Sequence, residues 1–248
     1  MNVLIVGATS AIAQAVSKQL LSNYNVDLNF IIVGRNNEHL RAISDDLMVR
    51  GAKAVTCIYQ DLSQASEMAM MIEQCWTSYG YLDIALLAHG SLPEQSDIQD
   101  NWDAVANAYN VNTLSYLAIM TALAPRFEKQ RHGSLAIISS VAGDRGRKSN
   151  YIYGSAKSAV SLFAQGLRNR LFTSNIQVLI IKPGFVDTPM TASIEKNGPL
   201  WSSSEIVAKD IVTAIKKRKD VIYTPRFWQL IMLIIRSIPE AVFKRLSI

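Results

Sequence analysis

Tyr153 and Lys157 stand four residues apart in the run Tyr153, Gly154, Ser155, Ala156, Lys157. On a helix that spacing puts both side chains on one face and sets a phenol beside an ammonium. A tyrosine with an unperturbed pKa of about 10 keeps its proton at neutral pH, and a close cation favours the phenolate. Such a phenol can exchange a proton with a carbonyl or alcohol oxygen. Tyr151 is a rival, but four residues after it stands Ser155, so it has no lysine partner. Ser139 and Ser140, at the end of an apolar run, add two hydroxyls upstream of the tyrosine.

These side chains need a frame, and the hydropathy pattern predicts one. Short β-rich runs alternate with stretches of helical period: Asn2 to Val6, Leu28 to Val33, Ala54 to Ile58, Asp83 to Leu87, Leu135 to Ile138, Ile176 to Ile181 and Val221 to Tyr223. Between the second and third runs Leu40, Ile43 and Leu47 fall at helical spacing. Repeated βαβ units imply a doubly wound α/β Rossmann fold, with about seven parallel strands and helices on both faces. At 248 residues and 49% hydrophobic content, without repeats or a Pro/Gly-rich linker, residues 1–248 are expected to form one domain. Thr188 to Ser204, with Gly198, Pro199 and a serine run, reads as a mobile loop over the site. Residues 225–248 read as an apolar C-terminal extension. Its run Phe227 to Ile235 is too short for the about 20 apolar residues that span a bilayer. Arg236, Lys244 and Arg245 follow, so a lid, a subunit interface or a peripheral membrane contact are the three readings.

The first strand runs into Gly7-Ala-Thr-Ser-Ala-Ile-Ala13, the strand–turn–helix setting of a dinucleotide site. Gly7 permits the tight turn, and the free N–H groups near Ser10 to Ile12 can receive a pyrophosphate. Ala11 and Ala13 replace the glycines usual there, which is tolerable if both keep negative φ. The second strand ends Ile31, Ile32, Val33, Gly34, Arg35. With no carboxylate for ribose hydroxyls but a cation for a 2′-phosphate, NADP(H) is expected over NAD(H). Asp61 is either a partner for the adenine amino group or a helix cap. Arg145, Arg147 and Lys148 lie between the serines and the tyrosine, where a loop can pair with a phosphate on the substrate.

Other classes fit less well. The net charge is +5, yet the cations are dispersed except at Lys216 to Lys219, and no alternation of aromatic and basic residues recurs, so no nucleic-acid partner is expected. Cys57 and Cys75 show neither CxxC nor metal-ligand spacing and are expected to be buried free thiols, with no metal. The N-terminus enters a strand without a signal-peptide pattern, so a cytoplasmic location is expected.

Taken together, the chain resembles the short-chain dehydrogenase/reductases. The likeness is carried by GATSAIA, Asp61–Leu62, the Asn of Val111–Asn112–Thr113, Ser140 thirteen residues before Tyr153, TyrGlySerAlaLys, and LysProGlyPheValAspThr at 182 to 188. It implies that Tyr153 is the acid/base and that Ser140 polarises the substrate oxygen. Lys157 would hold the nicotinamide ribose and lower the tyrosine pKa, and Asn112 would position a relay water. Gly7, Thr9, Ser10, Ala11, Ile12, Asp61, Leu62 and Gly90 would contact the cofactor, with Pro183, Gly184, Val186 and Thr188 at its nicotinamide end. Where the family has AsnAsnAlaGly, this chain has Leu87, Ala88, His89 and Gly90, and His89 reads as structural. The implied activity is NADPH-dependent reduction of a ketone to a secondary alcohol, by a homodimer or homotetramer.

The segment SSVAGDRGRKSNYIYGSAK and the C-terminal run are similar to a branch that reduces polyprenyl-phosphoryl 2-keto-sugars for bacterial envelopes. That branch implies a lipid-linked sugar ketone as substrate, Arg145 and Arg147 as its phosphate partners, and peripheral contact of residues 225–248 with the cytoplasmic face of the inner membrane. Alternatives are reduction of a small soluble carbonyl and a non-catalytic NADP-binding scaffold.

Overall fold

A computed structural model describes residues 1–196 and 198–246. In chain order the strands are β1 (Asn2–Val6), β2 (Asn29–Gly34), β3 (Ala54–Tyr59), β4 (Ile84–Leu87), β5 (Ser134–Ile138), β6 (Gln177–Pro183), β7 (Phe185–Asp187), β8 (Trp201–Ser203) and β9 (Val221–Thr224). Each of the seven β-rich runs is a strand of one parallel sheet, in the order β3-β2-β1-β4-β5-β6-β9. The helices are α1 (Ala11–Asn23), α2 (Asn37–Val49), α3 (Met68–Tyr79), α4 (Gln95–Ile98), α5 (Trp102–Tyr109), α6 (Ser115–Gln130), α7 (Tyr151–Leu171), α8 (Ser204–Lys216), α9 (Phe227–Ser237) and α10 (Glu240–Phe243).

The central strands are apolar without interruption because both of their faces are covered. Val3 and Ile5 of β1 pack with Leu20, Leu40 and Val207 beneath α1, α2 and α8. Leu4 and Val6 point the other way, into Met71, Tyr116 and Val160 of α3, α6 and α7. Each such Leu or Ile contributes roughly 2 kcal/mol relative to an exposed one. Strand order reverses between β1 and β4, and at such a switch point the C-terminal ends of the strands leave a crevice. The turns after β1 and β4 therefore bring Gly7 and Gly90 to one place.

Two expectations are corrected. Thr188 to Ser204 is not structureless: Pro189–Thr191 forms a 3₁₀ turn, and β8 pairs in parallel with β7 through Phe185 opposite Trp201. Those two aromatic rings stack with centroids 5.2 Å apart, which supplies a local apolar reason for the pairing. Asn197, within that stretch, lies outside the described residues. Cys57 is exposed rather than buried, because β3 is the sheet edge, while Cys75 is buried and its thiol is pushed up to about 12 by burial.

Candidate active site

Tyr151 opens α7, so Tyr153 and Lys157 share a helix face as their spacing predicts, and both line a cavity of about 470 Å³. Tyr151 is 45% exposed and does not line it, which removes the rival tyrosine. The two serines separate by strand alternation at the end of β5. Ser139 points inward, donates to the Lys157 carbonyl at 3.0 Å and pairs with Ser161 Oγ at 2.7 Å. Ser140 faces the cavity, and its Oγ accepts from the Ala142 N–H at 3.1 Å. That bond occupies the oxygen and leaves the hydroxyl proton free to point at a guest.

The turn Val141–Asp144 that follows Ser140 lies flush on α7. A Cβ at Gly143 would stand 2.8 Å from Ser158 N, and one at Gly154 would stand 2.8 Å from the Ala142 carbonyl. Only glycine at both positions permits this approach, which sets Ser140 beside Tyr153. Behind the turn, buried Asp144 pairs with Lys182 of β6 and accepts from the Tyr223 hydroxyl at 2.6 Å. This polar cluster ties the serine turn to β6 and β9.

Burial dominates the electrostatics. The Tyr153 phenol is pushed up to about 12 by burial, against a smaller downward pull from its hydrogen bond with Ser140. Burial pushes the Lys157 ammonium down to about 7. The expected lowering of the tyrosine by its lysine is therefore not seen in the protein alone. Lys157 Nζ stands 5.9 Å from the Tyr153 ring centre but only 4.3 Å from that of Tyr116, and it donates to the Ile138 carbonyl at 3.2 Å. Beneath it, His89 stacks on Tyr116 at 3.9 Å and bonds Ser115 Oγ through Nε2 at 2.8 Å. Burial, and secondarily the Lys157 charge, holds this histidine well below its ordinary pKa. Packing thus holds the ring, while the residue also lines the cavity and its Nδ1 has no partner among the described residues.

The cavity runs from the phenol to the far end of β1 and β2. Gly7, Thr9, Ser10, Ala11, Ile12, Arg35, Asp61, Leu62 and Gly90 line one arm, and Pro183, Gly184, Val186 and Thr188 the other. Gly7 has φ +81°, and a Cβ there would stand 2.6 Å from His89 N, so the turn accepts no other residue. Ala11 and Ala13 lie within α1 and have no positive φ, which is why alanine suffices. The Ser10 side chain does not cap α1, so the N–H groups of its first turn are left for a guest. Asp61 lines the cavity, and its Oδ1 accepts from the Ser63 N–H at 2.9 Å within a turn; the next helical turn starts at Ala65 with Gln64 at its N-cap, so Asp61 caps no helix.

Asn112 and Arg145 do not line the cavity. The amide of fully buried Asn112 bonds the Ser91 backbone both ways, at 3.0 Å each, from the π-turn Asn110–Leu114. Arg145 is a correction. Its guanidinium donates to the carbonyls of Ile235 at 2.7 Å and Ile238 at 2.6 Å, pairs with Glu240 at 2.9 Å and lies over the Phe243 ring. It closes the C-terminus of α9, where free carbonyls and the helix dipole draw a cation, and so is spent on structure. Lys148 is exposed and outside the cavity, whereas Arg147 lines it. Sequence reasoning missed Asn150 and Trp228, which also line it. Nothing marks Trp228 in an apolar run so far from the motifs.

A doubly wound sheet whose crevice joins a helix N-terminus to a serine, a tyrosine and a lysine defines an oxidoreductase of the dinucleotide-binding class. The short chain dehydrogenase family matches residues 1–198, and the chain belongs to that family. Its relatives include an uncharacterized oxidoreductase of Mycobacterium tuberculosis, 28% identical over 98% of this chain and 96% of that protein. Another, from Streptomyces coelicolor, is 27% identical over 100% of this chain and 96% of its own. Among solved structures, a short-chain dehydrogenase from Sphingobium yanoikuyae in complex with NADPH has a TM-score of 0.82 at 22% identity, covering 97% of each chain. The bulky-bulky ketone specific alcohol dehydrogenase from Comamonas testosteroni has a TM-score of 0.78 at 20% identity, covering 97% of this chain and 95% of that one. At these identities the structural likeness is one of fold.

Proposed function

We propose that the protein is an NADPH-dependent ketoreductase. The observation that carries this reading is one cavity lined both by Arg35 at the end of β2 and by the half-buried Tyr153, whose phenol keeps its proton. The residues fit the cofactor: uncapped N–H groups of α1 can meet a pyrophosphate, and Lys157 has donors to spare beyond Ile138. When bound, the reduced nicotinamide supplies a hydride. Tyr153 holds the proton that goes to the carbonyl oxygen, and Ser140 donates a hydrogen bond to that oxygen. Lys157 holds the ribose and offsets charge left on the phenol oxygen, while Pro183, Gly184, Val186 and Thr188 shape the nicotinamide end. Since the amide of Asn112 is committed to Ser91, any relay water it positions is held from its main chain, where the π-turn widens the ladder.

Arg35 carries the cofactor choice. It is exposed at the end of β2 and lines the cavity, and β2 ends without a carboxylate. Arg35→Ala is expected to raise KM for NADPH about tenfold, the loss of one charge-assisted hydrogen bond, and to leave KM for NADH nearly unchanged. Parallel titrations of the two cofactors check this. An equal effect on both would sink the assignment.

For the substrate, we propose a sugar ketone linked through phosphate to a polyprenyl lipid. Support comes from Arg147 in the cavity and from α9, which buries Trp228 and Met232 but exposes Phe227, Leu230, Leu233 and Ile234. Arg226, Arg236, Lys244 and Arg245 are exposed around that stripe, the composition of a helix that rests on an anionic lipid surface. No helix among the described residues is long and apolar enough to cross a membrane. The protein is expected to float with vesicles of anionic phospholipid, and Leu230→Asp with Leu233→Asp to abolish flotation. Flotation untouched by that pair would return the stripe to a subunit interface, and activity confined to short soluble ketones would favour a small carbonyl as substrate.

A further inference from the structure

Buried donors without partners are costly to leave unmade, and two of them belong to residues that line the cavity. Trp228 is 3% exposed, lines the cavity, and its Nε1–H has no acceptor among the described residues. Arg147 lines the same cavity, and its buried Nε–H is also unpartnered. The two belong together: an Arg147 Nη reaches Met232 Sδ at 3.6 Å, and Met232 stands one turn after Trp228 on α9, in the same buried cluster with Val141. No carboxylate balances Arg147 within ion-pair distance among the described residues. The charge it feels most, Asp144, is already held by Lys182 and Tyr223.

The fold makes room for this indole. A Cβ at Gly184 would stand 1.9 Å from Trp228 Nε1, so the Pro183–Gly184 turn admits the ring only because residue 184 is glycine. Arg145 fixes the other end of α9 through the carbonyls of Ile235 and Ile238. The helix is thus held at both ends, and its donor is set rather than swinging. Trp228 also lies beyond residues 1–198, the part matched to the family.

We propose that Trp228 is a specificity-determining residue whose indole N–H, together with the Arg147 guanidinium, binds an oxyanion substituent of the substrate, a phosphate ester or a carboxylate. Two donors set either side of Met232, one of them charged, suit an acceptor-only group and leave a neutral ketone with unpaired donors to bury. This rests on the ketoreductase reading for its place in the reaction, but the binding itself does not.

The test uses the full chain with ¹⁵N-labelled tryptophan, which gives four indole resonances. Trp228→Phe identifies one by its loss. Should that variant fail to fold, the resonance is assigned by elimination with Trp76, Trp102 and Trp201 replaced in turn. Glycerol phosphate is expected to move the Trp228 resonance, and lactate to move it if a carboxylate suffices, whereas glycerol leaves it in place. Arg147→Ala is expected to weaken the response about tenfold. In kinetics, Trp228→Phe is expected to raise KM for a phosphorylated ketone about tenfold more than KM for its neutral counterpart. A resonance moved by neither anion, or moved by NADPH alone, would overturn the proposal, as would equal KM effects on the two ketones. Movement by the anion in a protein that reduces no ketone would keep the subsite and remove the ketoreductase reading. Ketone reduction with an unmoved resonance would do the reverse.

Discussion

Tyr153→Phe is expected to lower kcat for ketone reduction about a thousandfold, within the range that one positioned general acid contributes, and to change KM far less. The expectation follows from where the proton sits. Burial pushes the phenol up to about 12, so at neutral pH the group is an acid with its proton in place, as ketone reduction requires. Phenylalanine keeps the ring and its packing on α7 and deletes only that proton. Ser140 cannot take over, because a serine hydroxyl is a far weaker acid and its role is to donate a hydrogen bond. Ser140→Ala should therefore cost less, about a hundredfold, the cost of one donor to a developing oxyanion. Steady-state oxidation of NADPH with a ketone substrate measures both. A Tyr153→Phe rate within tenfold of the parent would mean that some other group supplies the proton, whereas NADPH binding without turnover in the parent would revive the reading of the chain as a binding scaffold.

The parts of this site that were legible in the sequence are those that depend on period and spacing. Uninterrupted apolar runs such as Val3 to Val6 signal strands covered on both faces, and the core confirms it by sending alternate residues to opposite layers. The four-residue step from Tyr153 to Lys157 survives folding because α7 is a regular helix through both. What depends on contacts between distant segments was not legible. Arg145 and Arg147 look alike in a basic loop, yet one closes α9 through its carbonyls and the other lines the cavity. Which arginine does which is decided by residues 235 to 240, some ninety positions away. The direction of the tyrosine shift was missed for a related reason. Spacing shows that a cation is near, but only the packing of Tyr116, Ile138 and the β5 end shows how much water both groups have lost. Likewise Gly143 and Gly154 read as unremarkable until the serine turn is seen lying on α7.

The same loss of water makes the lysine a burden on the fold. Lys157 is 2% exposed and, among the described residues, has a single carbonyl for a hydrogen-bond partner. Its folded pKa of about 7 lies below the 10.5 of an unperturbed lysine. Between those values the unfolded chain holds a proton that the folded one has released, so stability rises with pH across that window. Below pH 7 both states carry the charge, and the folded protein bears the whole desolvation penalty. Lys157→Met removes the charge while keeping an unbranched side chain of similar length, and gives up the bond to Ile138, worth about 1 kcal/mol. The variant is therefore expected to be more stable than the parent at pH 6.5, by roughly 2–3 kcal/mol, which corresponds to about 5 °C or more in Tm. The advantage should shrink steadily towards pH 10, where the parent lysine is neutral when folded. Thermal unfolding of both proteins without cofactor at pH 6.5, 8 and 9.5 checks sign and trend together. A methionine variant less stable at pH 6.5 would show that the ammonium is well solvated or paired, against the geometry described. Activity, by contrast, should be lost in the variant at every pH, because among the described residues no cation other than Lys157 lies over the Tyr153 ring to steady the phenolate. A residue that destabilises the empty protein and is nonetheless needed for turnover is what stability traded for function looks like at a single position.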